Sequence, residues 1–124
     1  MAIESDVLVI GGGLAGMMSA LTAAEAGVSV RLISYKQSTV RQASGLIDLL
    51  GYLPGEEAPV ISPYDAIGAL PTEHPYAILG VDRVRAAMDR FDATVGYDGG
   101  GTERNTLVAT HAGGYKPTFR TPQS

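Results

Sequence analysis

Three glycines at a fixed spacing are the residues best suited to hold a phosphate group. Gly11, Gly13 and Gly16 follow the pattern G-x-G-x-x-G. Such a pattern uses its first glycine for a tight turn, its second for close approach of backbone N–H groups to a pyrophosphate, and its third for close packing of a helix on a strand. The helix N-terminus adds partial positive charge. We therefore predict that this turn, with the backbone of Leu14 and Ala15, binds the phosphates of a dinucleotide; a glycine-rich turn that binds nothing is the alternative.

The elements around the turn are those that the pattern requires. Asp6–Ile10 (DVLVI) is a short β-branched run that predicts a buried parallel strand. Apolar residues at helical spacing begin at Leu14, and Gly27 suits the left-handed residue that ends a helix near Ala26. Val28–Ile33 predicts a second strand. The two strands should be parallel, with a right-handed crossover, as in a β-α-β unit.

Ser34 stands after the second strand, where a dinucleotide site usually has Asp or Glu to hold the ribose hydroxyls. Its hydroxyl can make a hydrogen bond, but it cannot form the charge-assisted hydrogen bonds of a carboxylate, which are worth about 1.5–3 kcal/mol. This departure counts most against NAD specificity. A turn residue at the strand end is the other interpretation of Ser34. Lys36 and Arg41 follow, and each could contact a phosphate or remain a solvated loop charge.

The remainder of the chain predicts helices followed by strands. One helix opens at Ser62 and ends before Pro71, and another is capped by Asp82. The apolar face of the helix after Asp82 comprises Val84, Ala87, Met88 and Phe91. Gln37–Pro54 is left open between a short helix and an irregular loop. Strand-like segments separated by glycine runs then predict a β-meander: Ala93–Tyr97, Thr106–Thr110 and Tyr115–Thr121.

Composition argues against several other classes of function. With a net charge of −4, the chain offers no basic stripe for nucleic acid. It contains no cysteine, and therefore no thiolate nucleophile or iron–sulfur ligand of its own. His74 and His111 lack metal-ligand spacing, so we expect no metal site. His74 suits a surface turn better than a proton acceptor. No G-x-S-x-G nucleophile elbow occurs.

One uncharged run has the length of a membrane-span candidate. Val7–Ala24 contains 18 residues without a charge. Four glycines interrupt it, and Glu4 and Asp6 precede it where a signal peptide would carry Lys or Arg. We therefore expect a cytoplasmic protein.

Together these features predict an α/β fold. It would consist of a Rossmann-like FAD/NAD(P)-binding β-α-β unit with a β-meander, and residues 1–124 would form one dinucleotide-binding domain. Two parallel strands rarely bury enough surface to stand alone. We therefore expect an incomplete domain, the N-terminal part of a longer chain, and this fragment could cover its unpaired sheet edges by forming a homo-oligomer.

Four segments together are typical of one known family. They are VLVIGGGLAG at Val7–Gly16, QASGLIDLLGYLP at Gln42–Pro54, HPYAIL at His74–Leu79 and TLVATHAGGYKPTFRTP at Thr106–Pro122. They resemble the B subunit of anaerobic glycerol-3-phosphate dehydrogenase, whose wider relatives are the fumarate-reductase-like flavoproteins. The segments that begin near Ser44 and at His74 are more specific than the glycine turn.

The resemblance implies a flavoprotein oxidoreductase with FAD or FMN as its flavin. It implies a component of anaerobic respiration and glycerol metabolism that pairs with a catalytic A subunit and a membrane-anchoring iron–sulfur C subunit. That complex would oxidise glycerol 3-phosphate to dihydroxyacetone phosphate and pass electrons to quinone, at the inner face of the cell membrane. Ser44 and Gly45 would lie near the isoalloxazine ring, or else form an apolar packing loop. Because relatives are longer, the chain alone is expected to be inactive.

Two other functions stay open from the residues alone. One is an NAD-dependent Rossmann oxidoreductase, which Ser34 and the predicted meander disfavour. The other is a non-catalytic cofactor-binding fragment. Neither a substrate nor a catalytic residue follows from the spacing of these residues.

Overall fold

The computed structural model describes residues 2–123, apart from the side chain of Thr39, and combines helices with small sheets. The chain divides into two units, residues 1–44 and residues 45–124. Each unit contains one two-stranded sheet among its described residues, parallel in the first and antiparallel in the second. The α/β class expected from the sequence is confirmed.

The first unit is a β-α-β unit. It consists of β1 (Val7–Ile10), α1 (Leu14–Glu25) and β2 (Val30–Ile33). The strands are parallel, with register from Val7↔Val30 to Ile10↔Ile33. Gly27 has φ +86°, the left-handed conformation predicted for the residue that ends the helix. The predicted order of elements is confirmed, although β2 is two residues shorter than the sequence suggests.

A hydrogen-bonded clip fixes the register where both strands begin. The Asp6 carboxylate Oδ2 accepts hydrogen bonds from the Ser29 backbone N–H at 2.8 Å and from the Ser29 hydroxyl at 2.6 Å. The Asp6 backbone N–H donates to Ser29 Oγ at 2.9 Å. These hydrogen bonds from Ser29 hold the pKa of the Asp6 carboxyl below its usual range. The opposite edge of the sheet carries the glycine turn.

The first unit encloses little apolar surface. No residue of α1 is buried, and Leu8 and Ile10 of β1 are 52% and 81% exposed. One helix against two strands covers part of one sheet face at most, so the apolar residues that strand formation favours remain accessible.

The described part of the second unit contains three helices, which precede its strands. They are α2 (Pro63–Ala66), α3 (Pro75–Leu79) and α4 (Val81–Thr94), and a 3-10 turn at Ile67–Ala69 continues α2. The prediction of a helix between Ser62 and Pro71 is confirmed. Its C-cap is Leu70.

Two predictions around α4 are wrong. Asp82 does not cap the helix, because Gly80 at φ +82° separates α3 from α4 and is itself the N-cap, so that Asp82 lies in the first turn. Ala93–Tyr97 is not a strand, because α4 continues to Thr94, whose hydroxyl donates to the Arg90 carbonyl at 2.8 Å.

The core of the second unit combines apolar residues of α4 with the aromatic residues Tyr64 and Phe119. Three of the four apolar positions predicted for this helix are buried, and Ala87 is exposed. Tyr64 packs edge-on against Phe119, with ring centroids 5.5 Å apart. The buried hydrophobic residues are Leu50, Tyr64, Ile67, Leu70, Val84, Met88, Phe91 and Phe119.

The predicted meander is a two-stranded hairpin. β3 (Thr106–Ala109) pairs antiparallel with β4 (Tyr115–Thr118). The segment predicted to continue to Thr121 leaves the strand after Thr118 and makes isolated bridges, Ile47↔Arg120 and Asp98↔Thr121. The third strand is missing because its predicted residues belong to α4 or to the loop that follows it.

The segment that the sequence does not assign to either a helix or a loop is mostly irregular. Gln37–Pro54 includes a 3-10 turn at Thr39–Gln42, and its other residues form loops. Asn105 stabilises part of this loop, because its side-chain Nδ2 donates to the Leu50 carbonyl at 2.9 Å and to the Val60 carbonyl at 2.8 Å. Among the residues that the structure describes, none of the helices has the length and hydrophobicity of a membrane span.

Candidate functional site

The glycine turn leaves the carboxyl edge of the parallel sheet. The Gly11 backbone N–H donates to the Ile33 carbonyl at 2.8 Å, which ties the start of the turn to the end of β2. Gly11 has φ +118°, a conformation that L side chains rarely adopt. The tight turn predicted at Gly11 is therefore present, at the edge where open α/β sheets bind their ligands.

Close packing of α1 against the turn requires glycine at position 16. A Cβ at this position would lie 1.9 Å from the Gly11 carbonyl oxygen and 3.5 Å from Val9 Cγ1. No rotamer can relieve that first contact, because it involves a backbone atom. The sequence predicts that the third glycine serves close packing of the helix on a strand; in the structure it lets α1 approach the turn at Gly11 most closely, and the β1 residue Val9 lies next.

Gly13 differs from Gly16 in its surroundings. It is the N-cap of α1, with φ −74° and ψ 178°, a backbone conformation open to any residue. A Cβ at Gly13 would meet nothing within 4 Å. Neither strain nor internal packing therefore explains the glycine, and the space beside its backbone is accessible to a group from outside the chain.

The helix that begins here can face an anion. The first turn of α1 contains no acidic residue. Its first intrahelical bond runs from Met17 N–H to the Gly13 carbonyl at 2.9 Å, so the N–H groups of Leu14, Ala15 and Gly16 precede the regular ladder. These N–H groups and the helix dipole suit phosphate oxygens.

Ser34 adjoins the same turn. It is exposed, follows β2 directly, and its hydroxyl lies so close to Gly12 that a Cβ on Gly12 would be 2.7 Å from Ser34 Oγ. Gly12 is a variable position of the fingerprint, and sequence reasoning did not single it out. The run of three consecutive glycines was the available signal.

A cleft of about 350 Å³ lies beside the turn, within the size range of small-molecule sites. The residues that follow β2 complete its wall. It is lined by Ile10, Gly11, Gly12, Gly13, Ile33, Ser34, Tyr35, Gln37 and Ser38. None of these residues has a carboxylate, so no negative charge in the lining opposes a phosphate. Tyr35 and Gln37 were not among the site residues predicted from sequence.

The other predicted residues do not line this cleft. Ser44 is the last residue of the first unit, and Gly45 belongs to the second. Gly45 has φ +78°, and a Cβ there would be 3.0 Å from Pro122 Cγ. Backbone conformation and packing therefore both favour glycine at this position. Lys36 is exposed, and Arg41 lies in the last turn of the 3-10 helix at Thr39–Gln42.

His74 has a structural role. Its Nδ1 accepts a hydrogen bond from the Tyr76 backbone N–H at 3.1 Å and thereby caps α3. The sequence had suggested a surface turn, and the short helix at this position was not predicted. His111 is exposed in the turn between β3 and β4.

The sequence matches the model of a family described as FAD binding domain over residues 6–124. It is also similar to curated proteins named as one component of a dehydrogenase. The protein of Halobacterium salinarum strain R1, named as a probable B subunit of anaerobic glycerol-3-phosphate dehydrogenase, is 61% identical over 125 residues, which cover 100% of this chain and 29% of that protein.

Bacterial proteins are similar at lower identity. The B subunit of anaerobic glycerol-3-phosphate dehydrogenase from Vibrio cholerae strain O395 is 49% identical over 93 residues, covering 73% of this chain and 21% of that protein. The protein of the same name from Haemophilus ducreyi is 32% identical over 123 residues, covering 96% of this chain and 29% of that protein. No solved structure matches the chain.

The family match spans both units of the chain, whereas the chain spans less than a third of the length of these relatives. The match supports FAD as the flavin. The glycine turn fits that cofactor, because Gly13 leaves open the backbone surface that a pyrophosphate would contact. The chain therefore belongs to the FAD binding domain family.

Proposed function

We propose that this chain binds the pyrophosphate and adenosine of FAD within the B subunit of an anaerobic glycerol-3-phosphate dehydrogenase. The contrast between Gly13 and Gly16 carries the proposal. A Cβ at Gly16 would collide with the Gly11 carbonyl, whereas a Cβ at Gly13 would meet nothing within 4 Å. Gly16 is thus needed for packing within the fold, and we assign the absence of a side chain at Gly13 to ligand binding.

Five residues of the turn have proposed roles. Gly11 makes the tight turn, Gly13 admits the pyrophosphate, and the backbone N–H groups of Leu14, Ala15 and Gly16 donate to its oxygens. These donors are oriented by α1 before the ligand arrives, so little ordering is needed on binding.

We propose that the β-α-β unit belongs to a Rossmann-like nucleotide-binding fold. A β-α-β unit with its glycine turn at the carboxyl edge of the strands is the element on which that fold is built. At the same edge, we assign Ser34 to the ribose of the adenosine. Ser44 and Gly45 are assigned to the neighbourhood of the isoalloxazine ring by family resemblance alone.

The activity of the whole protein is proposed from its relatives. Their names, each giving one component of a dehydrogenase, imply a complex of several subunits. We propose that the complex contains a catalytic A subunit and a membrane-anchoring iron–sulfur C subunit, at the inner face of the cell membrane. It would oxidise glycerol 3-phosphate to dihydroxyacetone phosphate and deliver electrons to quinone. When bound, the flavin supplies the two-electron chemistry, and this chain positions it.

Flavin titration of matched glycine variants tests the proposal. Gly13→Ala should fold as the wild type does and bind FAD about 10- to 100-fold more weakly, because the methyl group blocks a charged hydrogen bond worth about 1.5–3 kcal/mol. The control is Gly68→Ala, since Gly68 also faces open space and does not line the cleft. The visible absorbance of bound flavin after dialysis measures binding, and circular dichroism measures folding.

The outcome separates this function from its rivals. FAD retained by the wild type and by Gly68→Ala, and lost from Gly13→Ala, supports the phosphate site. Equal retention by all three proteins would contradict the role of Gly13. Absence of FAD binding by the folded wild-type chain would overturn the proposed function.

A further inference from the structure

The cleft beside the glycine turn contains a wall that the phosphate-binding pattern does not explain. Four of the five positions that follow β2 contribute to it: Ser34, Tyr35, Gln37 and Ser38. A ribose held by charge would need a carboxylate here, and the lining contains none. The wall offers an aromatic ring, an amide and hydroxyl groups instead.

Tyr35 presents its ring to solvent. The residue is 87% exposed although it lines the cleft. The Lys36 ammonium lies 5.3 Å from the ring centroid, over one face of the ring. The opposite face is available to a planar ligand, and stacking of a nucleobase on an aromatic side chain is a sequence-tolerant source of affinity.

The backbone at Lys36 turns the next residues back to the cleft. Lys36 has φ +60°, the left-handed conformation that is uncommon for a residue other than glycine. Beyond this turn, Gln37 and Ser38 line the same cleft as the glycines. The Ser38 hydroxyl already accepts a hydrogen bond from the Val40 backbone N–H at 3.2 Å. The Gln37 amide, which has both donors and an acceptor, is the polar group suited to a base edge.

We infer that Tyr35 and Gln37 recognise the adenine of FAD, Tyr35 by stacking and Gln37 by hydrogen bonds to the edge of the base. An amide side chain can pair with the N6 and N7 groups of adenine, and guanine does not offer that pair of groups. The site therefore selects its cofactor through the base, where an acidic residue would select it through the ribose. This inference rests on the proposed function, because it concerns the same cleft.

Titrations with FAD, FMN, ADP and GDP test the assignment. FMN has no adenine, and ADP contains the adenine and the diphosphate without the flavin ring. Tyr35→Ala should weaken binding of FAD and ADP about ten-fold or more and leave FMN affinity unchanged, because only the adenine stacks on this ring. Tyr35→Phe should restore both affinities. Gln37→Ala should remove the preference for ADP over GDP.

Tyr115→Ala is the matched control, because Tyr115 is also exposed, at 70%, and does not line the cleft. It should bind all four ligands as the wild type does. Unchanged FAD and ADP affinity in Tyr35→Ala, with FAD still bound by the wild type, overturns the adenine assignment and leaves the proposed function standing. A folded wild-type chain that binds ADP but neither flavin, and whose ADP affinity falls in Tyr35→Ala, would support an adenine site at this wall and contradict the flavin function.

Discussion

At the scale of single residues, the second unit depends on one buried ion pair. Arg120 is 2% exposed, and its Nε and Nη2 donate to the two carboxylate oxygens of Asp92 at 2.8 and 2.7 Å. Its Nη1 donates to the Phe119 carbonyl at 2.9 Å. These bonds from Arg120 hold the pKa of Asp92 below its usual range. A buried guanidinium with this geometry is stable only while its partner stays charged.

Removing that charge should destabilise the protein strongly. Asp92→Asn leaves the Arg120 guanidinium buried without a counter-ion, and we expect the free energy of unfolding to fall by about 3–5 kcal/mol. Urea denaturation followed by circular dichroism measures the change. Asp48→Asn is the matched control, because it removes the partner of Lys116 from a more exposed pair and should cost less than about 1 kcal/mol. Similar losses in both variants would contradict the role of burial.

At the scale of elements, the clip between Asp6 and Ser29 is the counterpart of the glycine turn. It joins β1 to β2 where both begin, and the bond from Gly11 N–H to the Ile33 carbonyl joins them where both end. The register of a two-stranded sheet with one short helix has few other constraints. Polar contacts therefore maintain an alignment that core packing specifies in larger sheets.

The clip should make the stability of the first unit depend on pH. The hydrogen bonds from Ser29 hold the folded pKa of Asp6 below its unfolded value, so the stabilisation by the clip is complete above the unfolded pKa and is lost as pH falls through the folded pKa. Ser29→Ala removes the hydroxyl and should raise the Asp6 pKa toward the unfolded value. Carboxyl titration by NMR measures both proteins. An unchanged Asp6 pKa in Ser29→Ala would show that the hydroxyl does not hold the carboxylate.

Local signals made the first unit predictable. A β-branched strand, three glycines and a left-handed Gly27 specify β1, the turn and the end of α1 from neighbouring residues alone. The isolated bridge of Ile47 to Arg120 joins distant segments, which periodicity does not encode. The end of α4 at Thr94 was missed although the hydrogen bonds that extend the helix are local. At the site, the glycines followed from spacing. The wall residue Gln37 did not, because its place in the cleft depends on the left-handed turn at Lys36.

At the scale of the whole molecule, the units differ in how they are stabilised. The buried hydrophobic residues among those described all belong to the second unit, from Leu50 to Phe119. The first unit has strand hydrogen bonds and the clip, but α1 contains no buried residue. Regions with few buried apolar contacts open at low free energy, and binding sites are often built in such regions. The proposed FAD site thus lies in the unit that has more stability to gain from a ligand.

Hydrogen exchange should reveal this asymmetry and its dependence on cofactor. Without FAD, we expect amides of β1 and α1 to exchange faster than those of α4, because opening the first unit exposes little apolar surface that was buried. FAD at 100 times its dissociation constant should stabilise the first unit by about 2.7 kcal/mol and slow exchange there up to about 100-fold, while α4 changes less. Gly13→Ala, at the same FAD concentration, should lose that protection. Equal protection of β1 and α4 without ligand would contradict the assignment of stability to the second unit. Protection by FAD confined to α4 would instead place the ligand outside the glycine turn.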